Sequence, residues 1–194
     1  MGDGPGRDES RYDAILLAAL HLLSQVGYDR MTMDAIAEAA RASKATMYRR
    51  WSGKAELVVA ALRRHARPAT AAPDTGSLRG DLISVLESMR ANLAAQDAGV
   101  ILGLLTAMRR EPELAETVRQ QVIDVKREAF DAVLGRAVER GAVPETIDRA
   151  LLAEVSSALL FSRLFVTGGS LDRRFVVHLV DAVLIPLIDH ERGR

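Results

Sequence analysis

The chain contains no cysteine, only 4 % aromatic residues, and no excess of charge of either sign, with 26 Lys and Arg against 26 Asp and Glu in 194 residues. The missing thiols exclude a disulfide scaffold and any Cys-based zinc site. Scarce aromatics mean that a core must be built from aliphatic side chains. The hydrophobic share of 48 % is nevertheless too high for a disordered chain. Long apolar runs are also lacking. The most apolar stretch, Phe175 to Ile188, is short and carries His178, Asp181 and Pro186, which predicts no membrane span. The first ten residues hold no apolar run and predict no secretory signal. A soluble cytoplasmic protein, with no membrane partner, is the expectation. A net charge of zero, taken alone, argues against a nucleic-acid binder.

The punctuation is helical throughout, without period-two alternation or hairpin signals. A first helix is predicted from Asp8 to Val26, stopped by Gly27. Three short helices follow. Thr32 can cap one running to Ala40, and Ser43 one from Lys44 to about Trp51; a third starts near Gly53 with Glu56 at its N3 position. Two short capped helices so close together outline a helix-turn-helix. Pro68, Pro73 and Gly76 mark residues 68–77 as a linker. Beyond it, long helices are predicted at Leu78–Gln96, Ala98–Arg110, Pro112–Arg140, Thr146–Thr167 and Leu171–His190, with Ser170 capping the last. The fold class is therefore all-α. Residues 1–67 form a small helix-turn-helix domain with a recognition helix at about 44–51, and residues 78–194 form a larger helical domain.

The neutral total hides a segregation. Residues 1–67 carry a net +3 and the remainder −3, and the segment Arg41 to Arg67 has eight Lys and Arg against Glu56 alone, a net of +7. Phosphate neutralisation needs a local concentration of cations, not a basic protein overall. Aromatics with polar tips, Tyr12, Tyr28, Tyr48 and Trp51, all lie in the first part, while Phe130, Phe161, Phe165 and Phe175 lie in the second.

Residues Gly27 to Leu57 read GYDRMTMDAIAEAARASKATMYRRWSGKAEL. In Gly27-Tyr28, Thr32, Ile36-Ala37, Ala40, Ser43-Lys44, Thr46, Tyr48, Trp51, Lys54 and Leu57 this strongly resembles the DNA-binding domain of the TetR family of bacterial transcriptional repressors. The candidate core is Ile15, Leu22, Ile36, Ala37, Ala40, Met47, Trp51 and Leu57. The candidate DNA-binding residues are Thr32, Arg41, Ser43, Lys44, Ala45, Thr46, Tyr48, Arg49, Arg50 and Lys54. Lys44 and Arg49 would donate to guanine O6 and N7, and the Ala45 methyl would touch a thymine methyl. The resemblance implies phosphate contacts for Thr46, Tyr48 and Lys54; the start of its helix suits Thr32 to the same task. In the family the turn between the helices usually carries Gly-Val, where this chain has Arg41-Ala42. A positive φ at Arg41 would cost roughly 1 kcal/mol, so either the turn is reshaped or the cost is tolerated for a phosphate contact.

The last two helices are apolar on two sides, which predicts a partner for one of them. The resemblance implies a homodimer through these helices, reading a palindromic site in double-stranded DNA. Met89, Leu93, Leu102, Leu105, Met108, Phe130, Phe161, Leu164 and Phe165 are the candidate walls of a site for a hydrophobic or amphipathic small molecule. His21, His65, His178 and His190 lack metal-ligand spacing, and no phosphate loop, nucleophile elbow or paired carboxylates are visible. No metal, cofactor or catalytic residue is expected. The reading is a dimeric repressor released by a hydrophobic ligand. Its alternatives are an activator of the same family and a helical sequestering protein with a vestigial DNA-binding domain.

Overall fold

The computed structural model describes residues 5–65 and 74–192, side chains at 5–8, 125 and 126 excepted. The described residues are helical, with no strand among them. In chain order the α-helices are α1 (Pro5–Val26), α2 (Met33–Ala39), α3 (Lys44–Arg50), α4 (Lys54–His65), α5 (Leu78–Ala94), α6 (Ala98–Met108), α7 (Pro112–Val118), α8 (Asp124–Glu139), α9 (Arg149–Phe161), α10 (Arg173–Leu179) and α11 (Ile185–Arg192).

Several boundaries differ from the sequence reading, each for a local reason. The predicted helix Pro112–Arg140 is interrupted by a π-turn at Arg119–Ile123, and a second π-turn, Ser162–Val166, extends α9. The helix expected to start at Thr146 starts at Arg149, because the Asp148 carboxylate accepts from the Leu151 amide at 2.9 Å. Ser170 does not cap the last helix. Asp172 does, accepting from Phe175 N at 2.9 Å, while the Ser170 carbonyl accepts from Arg163 Nε. A carboxylate two residues further on is the stronger acceptor for the exposed amides.

Packing divides the chain into two compact units. The first joins the described residues up to 65 with residues 96–123; the second joins 74–95 with 124–192. This cuts the chain differently from the sequence division at 67 and 78. Helices α6 and α7 belong with α1–α4, and two glycines explain how. A Cβ on Gly103 would lie 3.1 Å from the Leu23 carbonyl oxygen, and one on Gly99 would lie 2.5 Å from Ser24 Oγ. Only glycine lets α6 approach α1 so closely. Asp97 caps α6 and also accepts from Ser24 Oγ at 2.8 Å, fixing the crossing at its end.

In the first unit Ile15, Leu16, Ala19 and Leu23 of α1 meet Ile36, Met47, Trp51, Leu57, Val58 and Ala61. Leu22 and Ala40, expected in the core, sit at its edge; Leu16 and Leu23 occupy the centre. The second unit packs Leu82 and Leu86 of α5 against Phe130, Val133 and Leu134 of α8, with Leu152, Leu160, Val176, Val180, Leu184 and Ile188. Most of the predicted linker, residues 68–73, lies outside the described residues. Its end is anchored: Thr75 donates through N and Oγ1 to the buried Asp81 carboxylate at 2.6 and 2.7 Å.

Candidate nucleic-acid interface

The site is built on two short helices and the turn between them. Thr32 caps α2, its hydroxyl accepting from Ala35 N at 3.1 Å. Ser43 caps α3 in the same way, accepting from Thr46 N at 3.1 Å, and shares a hydrogen bond of 2.8 Å with the Thr46 hydroxyl. Both hydroxyls thus satisfy amides that a helix end leaves open.

The connecting turn keeps its left-handed residue. Arg41 has φ 50°, the one positive φ of a non-glycine among the described residues. Its amide donates to the Glu38 carbonyl at 3.1 Å, and the Ala42 amide reaches the Ala37 carbonyl at 2.9 Å. These are the two hydrogen bonds of a Schellman ending, normally built on glycine. Ala42 then packs against the core, so the turn is not reshaped and the arginine carries the strain.

Helix α3 has one inward residue at its centre. Met47 is fully buried, while Lys44, Ala45, Tyr48, Arg49 and Arg50 are exposed and Thr46 is half-buried. Tyr48 leaves 56 % of its surface open, unusual for an aromatic residue unless it serves a partner. The base of the helix is braced by aromatics. Trp51 stacks on Tyr12 with centroids 5.5 Å apart, and the Arg50 guanidinium lies 5.3 Å over the same Tyr12 ring. Lys54 is half-buried. Its ammonium donates to the Tyr28 carbonyl at 2.9 Å and sits 4.1 Å above the Tyr28 ring, leaving two of its protons for other acceptors. Glu56 accepts from both the amide and the hydroxyl of Ser52, at 2.8 and 3.0 Å, and so closes the start of α4.

Three electrostatic features escape the sequence reading. First, Lys44 is paired: its ammonium lies 2.6 Å from Asp34 Oδ2, which holds its pKa above the ordinary lysine value. Second, the +7 block is not all available. Arg64 forks onto Asp13 at 2.8 and 3.1 Å and reaches Glu9 at 3.1 Å. That hydrogen-bonded guanidinium keeps the Asp13 carboxyl below the usual range. Arg63 hydrogen-bonds Gln121, and Arg67 lies outside the described residues. The carboxylates at Glu9 and Asp13, four apart on one helix, were the available signal for a cation held in place. Third, burial, with Glu111, Glu113 and Asp29 nearby, pushes the Tyr28 phenol up to about 12.

The candidate ligand walls divide between the two units. Leu102, Leu105 and Met108 lie on α6 in the first; the first two are 51 % and 41 % exposed, and Met108 packs against the core. An open cleft of 540 Å³ in this unit is lined by Leu23, Tyr28, Gly99, Leu102, Gly103 and Thr106 among others, and includes only Leu102 of the nine. In the second unit Met89 and Leu93 pack on the core, Phe130 is buried, and Leu164 is half-buried. Phe161 and Phe165 face each other at 4.6 Å.

Comparison with known proteins places this geometry. Residues 15–61 match the model of the bacterial regulatory proteins of the tetR family, and residues 72–183 match the tetracyclin repressor-like C-terminal domain. A DNA-binding transcriptional repressor TetR of Mycobacteroides abscessus is 43 % identical over 94 % of this chain and 96 % of its own. The TetR family transcription regulator SCO0332 superposes with a TM-score of 0.63 at 26 % identity, over 90 % of this chain and 97 % of its own. The transcriptional regulator FadR from Bacillus subtilis, solved in complex with stearoyl-CoA, shares the fold at a TM-score of 0.69 and 18 % identity, over 91 % and 97 %. The chain belongs to the TetR family of bacterial DNA-binding transcriptional regulators.

Proposed function

We propose that the chain is a homodimeric repressor that occupies a palindromic operator through α3 and is released by a hydrophobic or amphipathic small molecule. The observation that carries the reading is the face of α3. Lys44, Ala45, Tyr48 and Arg49 point outward over a buried Met47, at the end of the chain where cations are concentrated. Lys44 and Arg49 donate to guanine edges, and Ala45 meets a thymine methyl. Thr32, Arg41, Ser43, Thr46, Tyr48, Arg50 and Lys54 contact phosphates and set the register without reading sequence. Residues 1–67 carry this task, and residues 78–194 carry the ligand and the dimer. Such a regulator works in the cytoplasm, where its operator is.

Two observations support the dimer and the ligand class. Helix α9 buries Leu152, Ala153, Ser156 and Leu160 in its own unit yet leaves Leu151 53 % exposed, and Val166 and Leu187 are open at 73 % and 43 %. An apolar surface of this kind asks for a second copy. The FadR neighbour was solved in complex with stearoyl-CoA, the amphipathic chemistry that apolar walls such as Met89, Leu93, Leu164 and the Phe161–Phe165 pair would accept. The ligand acts by binding better to a conformer whose two α3 helices no longer fit successive major grooves.

Mobility shifts on the DNA upstream of the chain's own coding sequence, with sedimentation to establish the dimer, test the proposal. A specific shift by a dimer, reversed by the molecule that co-purifies and is identified by mass spectrometry, is the expected result. A dimer with no specific shift at moderate salt overturns it.

A further inference from the structure

Asp34 has no role in the proposed DNA contacts, yet it touches the residue best placed to read a base. Lys44 opens α3, the position from which a recognition helix reaches base edges. Asp34 lies in the first turn of α2 and takes the Lys44 ammonium at 2.6 Å. Both side chains remain open to solvent, at 64 % and 58 %. An ion pair so exposed adds little to the stability of a fold. A carboxylate on a surface that meets phosphates also repels every DNA sequence alike. The helix dipole favours an acid in the first turn of α2 but does not account for its grip on the Lys44 ammonium.

Groove chemistry does. Lysine donates to guanine O6 and N7, and aspartate accepts from cytosine N4–H; both groups lie on the major-groove edge of one G·C pair. We propose that Asp34 is a specificity-determining residue: it aims Lys44 along the groove and, with it, selects a G·C base pair in each half-site. On an A·T pair the carboxylate meets thymine O4 and the ammonium meets the adenine amino group; on a T·A pair the ammonium finds thymine O4 alone, beside a methyl group, in place of guanine O6 and N7, so unselective binding is weakened. The inference rests on the reading of α3 as the groove-binding helix, and the experiment separates the two.

The test uses the full chain. A duplex is enriched from a randomised pool by repeated selection on the unaltered protein, and a scrambled duplex of equal composition serves as the reference. Fluorescence anisotropy measures both for the unaltered chain, Asp34→Asn, Asp34→Ala, Lys44→Ala and the double variant Asp34→Ala/Lys44→Ala, with thermal melting confirming that each is folded. Removing the Asp34 charge should tighten the scrambled duplex by about 3-fold and lower the selected-to-scrambled ratio by about 10-fold, in keeping with the loss of one base-pair readout. In the Lys44→Ala background the Asp34→Ala change should leave the ratio unaltered, because the unit is already broken. Selection repeated on Asp34→Asn should lose a G·C preference at one position per half-site and keep the rest. If Asp34→Asn weakens both duplexes equally, or if its effect on the ratio simply adds to that of Lys44→Ala, Asp34 merely supports α2 and the inference is overturned. If Lys44→Ala changes neither duplex, or no duplex is enriched at all, the groove-binding reading of α3 falls and takes the inference with it.

Discussion

Both packing units carry open ion pairs, but among the described residues only the second buries an acid. In the first, Arg41, Lys44, Arg49 and Arg50 stand on the surface around a small core, and acids that meet cations there, among them Glu9, Asp13, Asp29 and Asp34, do so in the open. In the second, Asp81 is buried beneath Arg136 and Arg140, at 3.9 and 3.6 Å, and takes two hydrogen bonds from Thr75. The aromatics follow suit: Tyr48, with a polar tip, is open in the first unit, while Phe130 is sealed in the second. A surface that meets a polyanion keeps its charged groups exposed. The one acid buried among the described residues is buried with partners.

The largest expected effect breaks the second half of this comparison. Phe130→Ala should cost about 3–5 kcal/mol, read from the denaturant midpoint, because the ring is 1 % exposed and wholly packed. A loss under about 1 kcal/mol would mean that the ring borders space able to hold a ligand. Next is the α1–α6 crossing. Gly103→Ala should cost up to about 1 kcal/mol, because the added methyl would lie 3.1 Å from a backbone carbonyl, a contact that offsets the gain of alanine over glycine within a helix.

Arg41 sharpens the first half. Arg41→Gly should relieve the left-handed strain and raise stability by about 0.5–1 kcal/mol, net of the greater freedom of glycine in the unfolded chain. The same change should lower duplex affinity and flatten its salt dependence by about one phosphate contact. A rise in stability with no change in salt dependence would remove Arg41 from the interface. The smallest effect concerns pH. The Tyr28 phenol is raised from 10.0 to about 12, so its contribution is intact below pH 10.0 and is lost as pH rises through about 12. Tyrosinate absorbance should show one of the three tyrosines titrating late, and Tyr28→Phe should remove that step.

Legibility differed between the regions for physical reasons. Around α3 each residue has few possible roles. An apolar Met47 between cations should face inward, hydroxyls at Thr32 and Ser43 can cap, and Arg41 in the glycine position leaves two outcomes, a reshaped turn or a positive φ, of which the structure has the second. In the helical remainder, Leu, Ala and Val can face either way with similar cost, so which of them wall a cavity does not follow from spacing. The sequence reading assigned α6 to the larger domain; Gly99 and Gly103, one turn apart on an apolar helix, were the available signal for its close approach to α1. Partners distant in sequence, such as Arg64 with Asp13 or Asp81 with Thr75 and Arg140, left only weak traces. The Asp34–Lys44 pair spans ten residues and joins two helices, beyond the reach of periodicity.

The central claim is that a cationic helix on a small aliphatic core makes this chain a sequence-selective DNA binder despite its neutral total charge. Duplex affinity measured against salt concentration for the unaltered chain and for Lys44→Ala/Arg49→Ala tests it most directly. The account predicts a steep salt dependence and a clear preference for the selected duplex, with the preference lost in the double variant and the melting temperature unchanged. Equal affinity of both proteins for the selected and scrambled duplexes at every salt concentration would contradict it.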